Sequence, residues 1–337
     1  MPSRQTLYFT APHTVERRTE PLPAPQPDEV LVQTRYSAIS PGSEMLVYAG
    51  LCPSVPDAHD PLSSALTYPT PYGYACVGQI ISTGAQVSPS LAGHWVFAFQ
   101  PHTSHFTAPL AALHFLPADI APEAACFLPN TETAVNLVQD AAPLLGERAL
   151  VLGQGIIGLL TTALLARFPL AALVTADRYP LRRAASLAAG ATASLDPLAD
   201  DFHSQARTLL GDAGADFSLE VSGAPAALND ALVLTRFSGR VVIGSWYGKK
   251  DVALDLGGAF HRSRLMLIAS QVSTIRPDLS ARWDKSRRFE VAWDALRRIQ
   301  PQQWVTHRLP FQRAAEAYRL LHEAPGESIQ VIFDYAD

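Results

Sequence analysis

The sequence has few of the features that define several large classes of protein. It contains only three cysteines, Cys52, Cys76 and Cys126, and no Cys-x-x-Cys pair. This shortage excludes a disulfide scaffold and a cysteine-rich zinc site, and it is typical of a reducing compartment. The 26 basic residues do not outnumber the 31 acidic residues, so no overall positive charge attracts nucleic acid or acidic membranes. We therefore expect a cytoplasmic protein whose partners include neither nucleic acid nor a membrane.

Segments that direct a chain to a membrane are also missing. The N-terminus, M-P-S-R-Q-T, has no apolar segment after its charge, so we predict no signal peptide. Residues 156–176 are mostly apolar, but Arg167 and Pro169 interrupt them, which favours a helix and a buried strand over a membrane span. The 48% hydrophobic content of the 337 residues is instead ample for a sizeable core in about two domains.

The strongest positive feature is a glycine-rich stretch that follows a short apolar run. Residues 148–158 read R-A-L-V-L-G-Q-G-I-I-G, and Ala149 to Leu152 have the pattern of a buried parallel strand. The G-x-G-x-x-G motif predicts a tight turn, a close approach to a pyrophosphate and close packing of a helix on the strand. The expected cofactor contacts in this stretch are Gly153, Gly155, Ile156, Ile157 and Gly158.

The acid expected after such a motif is also present. A second apolar run, Ala171 to Ala176, ends in Asp177, which lies 19 residues after Gly158, close to the ~20 typical of a dinucleotide-binding unit. A carboxylate at this point accepts hydrogen bonds from the adenosine ribose and repels the 2′-phosphate of NADP, so we predict NAD. Arg178 and Arg182 follow closely and are able to accommodate that phosphate, so NADP stays open as a cofactor.

The two halves of the chain have different patterns. The first 123 residues are β-like, with a proline-rich loop at 51–71 and no nucleotide motif, whereas strands and helices alternate afterwards. The predicted helices are Thr133–Ala142, Leu159–Ala166, Leu181–Ala189, Phe202–Leu210, Pro225–Leu234, Arg287–Ile299 and Ala314–Leu321. Several intervening strands end in small residues, which leaves room for a ligand at the carboxyl edge of a parallel sheet. A basic run within 282–298 predicts a solvated helix face rather than a nucleic-acid site.

Seven motifs spread over nearly the whole chain carry a family resemblance. They are P-D-E-V-L-V (27–32), P-G-S-E-x5-G (41–50), G-Y-A-C-V-G (73–78), T-A-V-N (133–136), G-E-R-A-L-V-L-G-Q-G-I-I-G (146–158), E-V-S-G (220–223) and G-R-V-V-I-G (239–244). They resemble the medium-chain dehydrogenase/reductase superfamily of alcohol dehydrogenases and quinone oxidoreductases. The resemblance implies an α/β fold: a doubly wound Rossmann parallel sheet at 124–270 and a GroES-like β-rich domain at 1–123, to which residues 271–337 return.

The departures from that family's pattern concern zinc. In zinc-dependent members a cysteine precedes the Ser/Thr of the proton relay by two residues, whereas here Pro41 precedes Ser43. The histidine ligand of a G-H-E motif is replaced by Tyr74, and the third ligand position is Pro129 if Thr133 is the threonine near the nicotinamide. None of the three replacements is a usual zinc donor. The chain therefore resembles a zinc-less member, and we expect no metal.

Three side chains are candidates for the chemistry that zinc otherwise performs. Ser43 can donate a hydrogen bond and relay a proton, and the phenol of Tyr74 can act as a donor or general acid. Glu44 matches an acid that lies beneath the metal in zinc enzymes. Each has a structural alternative: Ser43 as a helix cap, Tyr74 as a space-filling aromatic, and Glu44 as a helix-start carboxylate.

Further contacts are expected by analogy with the family. Those at the cofactor edge are Thr133, Ser222, Gly223, Gly244, Ser245 and Ser270. Trp246 is expected on the substrate side, although a surface aromatic is equally consistent. His102, in Q-P-H-T-S-H, is a second substrate candidate, but a solvent-exposed loop histidine is the favoured alternative for it and for His105.

The resemblance predicts a zinc-independent, NAD(P)-dependent oxidoreductase. It would transfer hydride between nicotinamide and a carbonyl, alcohol or activated alkene in a small-molecule substrate, and we expect a homodimer. The stretch S-P-G-S-E (40–44) and Tyr74 also resemble the bacteriochlorophyllide a dehydrogenase branch, which oxidises a 3-hydroxyethyl group on a macrocycle. A non-catalytic NAD(P)-binding protein is the alternative from a different class.

Overall fold

The computed structural model describes residues 2–52 and 66–336. The proline-rich loop predicted at 51–71 therefore falls largely outside the described residues. The chain forms two compact units: the first combines Met1–Pro129 with Leu296–Asp337, and the second is Asn130–Ala295. Among the described residues, no helix has the length and apolar character that crossing a membrane requires.

The first unit begins as a series of mostly antiparallel strands. Its elements up to residue 125 are β1 (Ser3–Ala11), β2 (Thr14–Pro21), β3 (Glu29–Ala38), α1 (Pro41–Tyr48), β4 (Thr70–Pro71), β5 (Cys76–Thr83), β6 (Trp95–Ala98), β7 (His105–Pro109), β8 (Leu113–Phe115) and α2 (Pro122–Ala125). Proline opens both helices, where its missing N–H costs no hydrogen bond.

The second unit alternates strands and helices. Its elements are α3 (Leu128–Ala141), β9 (Arg148–Leu152), α4 (Ile156–Leu165), β10 (Ala172–Ala176), α5 (Pro180–Ala188), β11 (Ala193–Leu195), α6 (Phe202–Leu210), β12 (Ala215–Glu220), α7 (Pro225–Leu234), β13 (Thr235–Ile243), β14 (Met266–Ala269) and α8 (Lys285–Ile299). The strands form one parallel sheet in the order β11-β10-β9-β12-β13-β14. The strand order reverses between β9 and β12, and such a switch point is where doubly wound sheets bind ligands.

Side-chain alternation explains why these strands are apolar throughout. Leu150 and Val174 belong to one buried cluster, whereas their neighbours Val151 and Leu173 belong to another. Both faces of the sheet are therefore covered, as a parallel sheet requires. Burying a leucine or valine side chain contributes about 1.5–3 kcal/mol, so these runs hold the sheet rigid beneath the loops at its carboxyl edge.

The C-terminal residues return to the first unit. They form β15 (Val305–Pro310), α9 (Ala314–Glu323) and β16 (Gln330–Asp334). Because β16 pairs antiparallel with β3, the sheet runs β15-β16-β3-β5-β6-β8, with β7 also paired to β3, and a separate sheet runs β2-β1-β4. The α/β class, with a Rossmann unit and a β-rich unit, is the fold that the sequence predicted.

The unit boundaries lie later in the chain than the expected positions 124 and 271. The second boundary falls inside α8, because Lys285 and Arg288 form ion pairs with Glu132 of α3 and keep the start of α8 in the second unit. The sequence also does not predict β2. Its residues, T-V-E-R-R-T-E-P, have no apolar face, and the strand is specified by pairing along β1.

Candidate functional site

The glycine-rich turn joins the end of β9 to the start of α4. Gly153 has a φ of +97°, and a Cβ there would lie 2.5 Å from the Cα of Ser222. A Cβ on Gly158 would lie 1.9 Å from the carbonyl oxygen of Gly153, so only glycine lets α4 pack this closely. Gly155 precedes α4 and faces open space apart from Arg182, whose Nη1 is 3.9 Å from the Cβ position. These are the geometric roles that a pyrophosphate-binding turn requires.

The backbone at the start of α4 offers N–H groups to a phosphate. Ile156 and Ile157 begin the helix, and the first N–H groups of a helix have no intrahelical acceptor. Ile156 is buried, so its contact with a cofactor would come through its backbone. The buried amide of Gln154 donates to the carbonyl of Gly153 at 3.0 Å and accepts from the Thr162 hydroxyl at 3.0 Å. It thereby fastens the turn to the helix.

Asp177 follows β10 and is buried beside the same turn. Its carboxylate accepts from the backbone N–H groups of Gln154 at 2.7 Å and Tyr179 at 2.9 Å. A carboxylate has acceptor capacity for more than two such bonds. The guanidinium groups of Arg178 and Arg182 lie 4.6 and 4.9 Å from the centroid of the Tyr179 ring, and burial lowers the pKa of Arg182. One acid and two cations thus flank the predicted adenosine end of the site.

The strands beside β9 end in the small residues that the sequence singled out. Gly223 has a φ of +68° and donates its N–H to the Ser245 hydroxyl at 2.8 Å. The Gly244 N–H donates to the carbonyl of Glu220 at 2.9 Å. Ser222 donates its hydroxyl to the carboxylate of Glu220 at 2.6 Å. The structure therefore gathers these predicted residues at one edge, around an acid to which the sequence assigned no role.

Thr133 and Ser270 lie on two further elements of the second unit, α3 and the segment after β14. The Asn136 amide, one turn beyond Thr133, donates to the Ser270 hydroxyl at 2.8 Å and to the Asp140 carboxylate at 2.9 Å. Burial raises the pKa of Asp140. Trp246 follows β13 and is 43% exposed, so its place on the substrate side stays a prediction.

Arg288 departs from the sequence-based interpretation of the basic run as a solvated face. It is fully buried. Its guanidinium bonds Glu132 at 2.9 Å, the Asn136 side chain at 2.5 Å and the carbonyls of Val272 and Thr274. The prediction was wrong for this residue because its partners come from α3, about 150 residues earlier. The pairing fixes the helix that carries Thr133 to the segment after Ser270.

Tyr74 is the centre of a second polar cluster, in the first unit. Its hydroxyl donates to the hydroxyl of Ser40 and lies 3.2 Å from that of Ser43. Ser40 precedes α1 and Ser43 lies in its first turn. Burial raises the pKa of Tyr74, while the two serine hydroxyls act in the opposite direction. The structure therefore brings the predicted pair Ser43 and Tyr74 together and adds Ser40.

Glu44 is fully buried and accepts hydrogen bonds from three sides. Its partners are the backbone N–H of Ser40 at 2.7 Å, the ring nitrogen Nε2 of His102 at 2.9 Å and the hydroxyl of Tyr318. Burial raises the pKa of Tyr318 well above its usual value, so this phenol stays protonated and donates. Glu44 is thus a helix-start carboxylate, as its structural alternative had it, and it also anchors a residue of α9, a contact that the sequence did not predict; its catalytic role stays a prediction.

His102 is not the solvent-exposed loop histidine that the sequence favoured. It has no exposed surface, and its Nδ1 lies 2.7 Å from the hydroxyl of Ser37 while its Nε2 bonds Glu44. Because both ring nitrogens have protein partners, His102 supports Glu44 rather than contacting a substrate. Gly73 makes room for it: a Cβ at this position would lie 2.7 Å from the His102 ring. Tyr335 completes the chain of contacts through a 2.9 Å bond to Ser37.

The positions that the resemblance assigns to the zinc ligands, with Pro129 among them if Thr133 is the threonine near the nicotinamide, hold side chains that do not fit zinc. Pro41 and Pro129 have no donor atom, and the hydroxyl of Tyr74 is engaged with Ser40. Within residues 2–52 and 66–336, no three His, Cys, Asp or Glu side chains are grouped so that they could hold a metal ion. The buried thiol of Cys76 faces two backbone carbonyls, and burial raises its pKa to about 12, which makes it an inert neutral group.

Comparison with known proteins finds dehydrogenases among those similar to this chain. Residues 157–286, which lie in the second unit, match the family model of zinc-binding dehydrogenases. The chain is 26% identical over 329 residues to L-galactonate-5-dehydrogenase of Escherichia coli K12, covering 87% of this chain and 92% of the relative. It is also 26% identical over 352 residues to 2-desacetyl-2-hydroxyethyl bacteriochlorophyllide A dehydrogenase of Rhodobacter capsulatus, covering 99% of this chain and 98% of that protein.

Solved structures show the same architecture. An alcohol dehydrogenase from Escherichia coli CFT073, complexed with NADH, superimposes with a TM-score of 0.80 at 18% identity. The match covers 99% of each chain. At this identity the likeness establishes the fold and carries no assignment of substrate.

Proposed function

We propose a zinc-independent reaction for this chain, which belongs to the medium-chain dehydrogenase/reductase superfamily and is an NAD(P)-dependent oxidoreductase. The substrate is a secondary alcohol or the corresponding ketone. The observation that carries the proposal is the Tyr74 hydroxyl held by Ser40 and Ser43 at a position where zinc-dependent relatives place a metal ligand. A hydroxyl in this place can exchange a proton with the substrate oxygen without a metal.

The second unit supplies the cofactor site. The glycine turn and the N-terminus of α4 would hold the pyrophosphate, and Asp177 would accept hydrogen bonds from the adenosine ribose. The cofactor is NAD in preference to NADP, because the buried carboxylate of Asp177 repels a 2′-phosphate. Thr133, Ser222, Gly223, Gly244, Ser245 and Ser270 form the rest of the cofactor surface, and Arg178 and Arg182 flank it. A nicotinamide held there would supply the chemistry of hydride transfer to or from the substrate carbon.

The first unit handles the proton. In ketone reduction Tyr74 donates its hydroxyl proton to the substrate oxygen, and Ser43, which is partly exposed, passes a replacement proton from solvent. In alcohol oxidation the same groups carry the hydroxyl proton outward. Because burial raises the pKa of Tyr74, the phenol is in its acid form at neutral pH. The raised pKa of Tyr74 therefore favours reduction near neutral pH and oxidation at higher pH.

The relatives' names support a hydroxyl-bearing carbon as the reacting centre. One is a dehydrogenase of L-galactonate at position 5, and the other acts on a hydroxyethyl-bearing bacteriochlorophyllide. The second match covers 99% of this chain, and this coverage favours a hydroxyethyl-substituted macrocycle as a second candidate substrate. Activated alkenes have no support among these names.

We also propose a cytoplasmic location and a homodimeric assembly. Cys76 and Cys126 are buried free thiols, a state that a reducing cytoplasm preserves. A homodimer is proposed from the family resemblance. Trp246, partly exposed after β13, is proposed to contact the substrate.

A turnover screen tests the proposal. Purified protein is mixed with NAD and a panel of sugar acids, simple secondary alcohols and hydroxyethyl-substituted tetrapyrroles, and NADH formation is followed by its absorbance. We expect NADH with at least one secondary alcohol, and NADH consumption with the matching ketone. Binding of NADH, seen as a fluorescence change, without turnover of any alcohol, ketone or enone would identify a cofactor-binding protein instead.

A further inference from the structure

Glu220 is a buried acid at the centre of the cofactor edge. It is the last residue of β12 and lies in register with Leu152, which ends β9, and with Ile243, which ends β13. It has no exposed surface. Its carboxylate therefore sits between the glycine turn on one side and the loop that begins at Gly244 on the other.

One carboxylate oxygen of Glu220 organises the loop that follows β12. It accepts the backbone N–H of Ser222 at 2.7 Å, the hydroxyl of Ser222 at 2.6 Å and the N–H of Gly223 at 3.2 Å. Ser222 in turn packs on Gly153, where even a Cβ would come within 2.5 Å of its Cα. The hydrogen bonds to Glu220 thus hold this loop in contact with Gly153, the first glycine of the cofactor turn.

The other oxygen of Glu220 reaches the loop that follows β13. It accepts the hydroxyl of Tyr247. Burial, together with the Glu220 carboxylate, raises the pKa of Tyr247, so the phenol stays protonated and donates. Two further bonds connect the same loops: Gly223 N–H to the Ser245 hydroxyl at 2.8 Å, and Lys250 Nζ to the Gly223 carbonyl at 2.8 Å.

We propose that Glu220 is a positioning residue for the nicotinamide cofactor. Through Ser222 and Tyr247, Glu220 holds the glycine turn, the 221–224 loop and the 244–250 loop in their binding arrangement. This role rests on the proposed cofactor site. It adds two residues, Glu220 and Tyr247, that neither the motifs nor the family resemblance assigned to cofactor binding. If these loops leave this arrangement, the cofactor binds more weakly, because the apparent Kd rises as the fraction of protein in the binding-competent state falls.

Two conservative variants and one matched control test the proposal. Tyr247→Phe removes one hydroxyl, and Glu220→Gln keeps the side-chain shape while removing the charge and one acceptor oxygen. Glu147→Gln is the control, since Glu147 is a mostly buried carboxylate paired with Arg240 at the opposite, amino edge of the same sheet. NADH affinity is measured by fluorescence titration, and thermal midpoints are recorded without cofactor.

We expect the Kd for NADH to rise about tenfold in Glu220→Gln and a little less in Tyr247→Phe, as for the loss of one hydrogen bond to a charged group. Glu147→Gln should lower the thermal midpoint and leave the Kd within about twofold of the parental value. Hydrogen exchange should speed up in residues 219–225 of Tyr247→Phe without a change in the core strands.

Two outcomes contradict the proposal, and they can be told apart. If the parental protein binds NADH and both edge variants bind it equally well, Glu220 has no positioning role and the cofactor site stands. If the parental protein does not bind NADH at all, the cofactor site itself fails, and the role of Glu220 fails with it.

Discussion

The carboxylate of Glu44 accepts the backbone N–H of Ser40, four residues earlier, at 2.7 Å. Ser40 occupies the N-cap of α1, where a serine hydroxyl commonly bonds the first free N–H groups of the helix. Here the Ser40 hydroxyl makes no cap bond and accepts the Tyr74 hydroxyl instead. The capping carboxylate thus contributes to the start of the helix, while the serine is left to the Tyr74 cluster.

The first prediction concerns the hydroxyl of Tyr74. Tyr74→Phe should lower turnover about 10²–10³-fold, since losing one donor to developing negative charge costs about 2.7–4 kcal/mol. The thermal midpoint and the Kd for NADH should change little. Tyr68→Phe is the control, because it also removes a tyrosine hydroxyl from the first unit, one that donates to the backbone carbonyl of Val47. Parental turnover in Tyr74→Phe would make Tyr74 a packing residue, and Ser43→Ala would then be tested.

The second prediction is a pH shift. Burial raises the pKa of Tyr74, and the hydroxyls of Ser40 and Ser43 lower it, because a serine can turn and donate to the phenolate. Ser40→Ala removes one of the lowering contacts, so the pKa of Tyr74 should rise further. Alcohol oxidation needs the deprotonated form of Tyr74. The pH range over which the oxidation rate rises should therefore move to higher pH. Ser40→Thr should restore the parental profile, and an unmoved pH range in Ser40→Ala would separate Ser40 from the chemistry.

The third prediction is the absence of stoichiometric zinc. Two prolines, Pro41 and Pro129, and the engaged phenol of Tyr74 replace the ligands of zinc-dependent relatives. Elemental analysis of protein prepared without chelators should find zinc well below one atom per chain, and activity should survive treatment with a chelator. One tightly held zinc per chain would contradict the zinc-independent reaction.

The fourth prediction is a preference for NADH over NADPH. Like charges placed together cost several kcal/mol, so the buried Asp177 should give at least a tenfold difference in Kd by calorimetry. Asp177→Ala should narrow that difference. Arg182→Ala in the same background should weaken NADPH more than NADH if this arginine faces the extra phosphate. Tighter binding of NADPH by the parental protein would show that Arg178 and Arg182 outweigh the acid.

The fifth prediction concerns the space that His102 occupies. Gly73 and Gly93 both have positive φ values, +116° and +84°, but a Cβ on Gly93 would meet no atom within 4 Å. Gly93→Ala should therefore show only the backbone cost of about 1–3 kcal/mol. Gly73→Ala should cost about 1–3 kcal/mol more, because its methyl group overlaps the His102 ring. Equal thermal midpoints for the two variants would mean that the ring moves away freely.

The sequence by itself determined the alternation of strands and helices in the second unit. Helices α6 and α7 begin and end where the pattern places them, since apolar spacing and an opening proline are local signals. The geometric constraints at Gly153 and Gly158 were also predictable. Glycine is the residue that adopts a positive φ or allows a close backbone approach without strain, so a glycine at such a position indicates the requirement directly.

The tertiary structure alone decided which polar side chains meet. Glu44 bonds Tyr318, 274 positions away, and Arg288 bonds Glu132, 156 positions away. No local pattern encodes such pairs. For the same reason His102 was expected to be exposed to solvent although it is buried, and Ser40 and Glu220 received no role. Buried polar groups need partners, and the free energy of leaving them unpaired is set by the folded surroundings rather than by neighbouring residues in the chain.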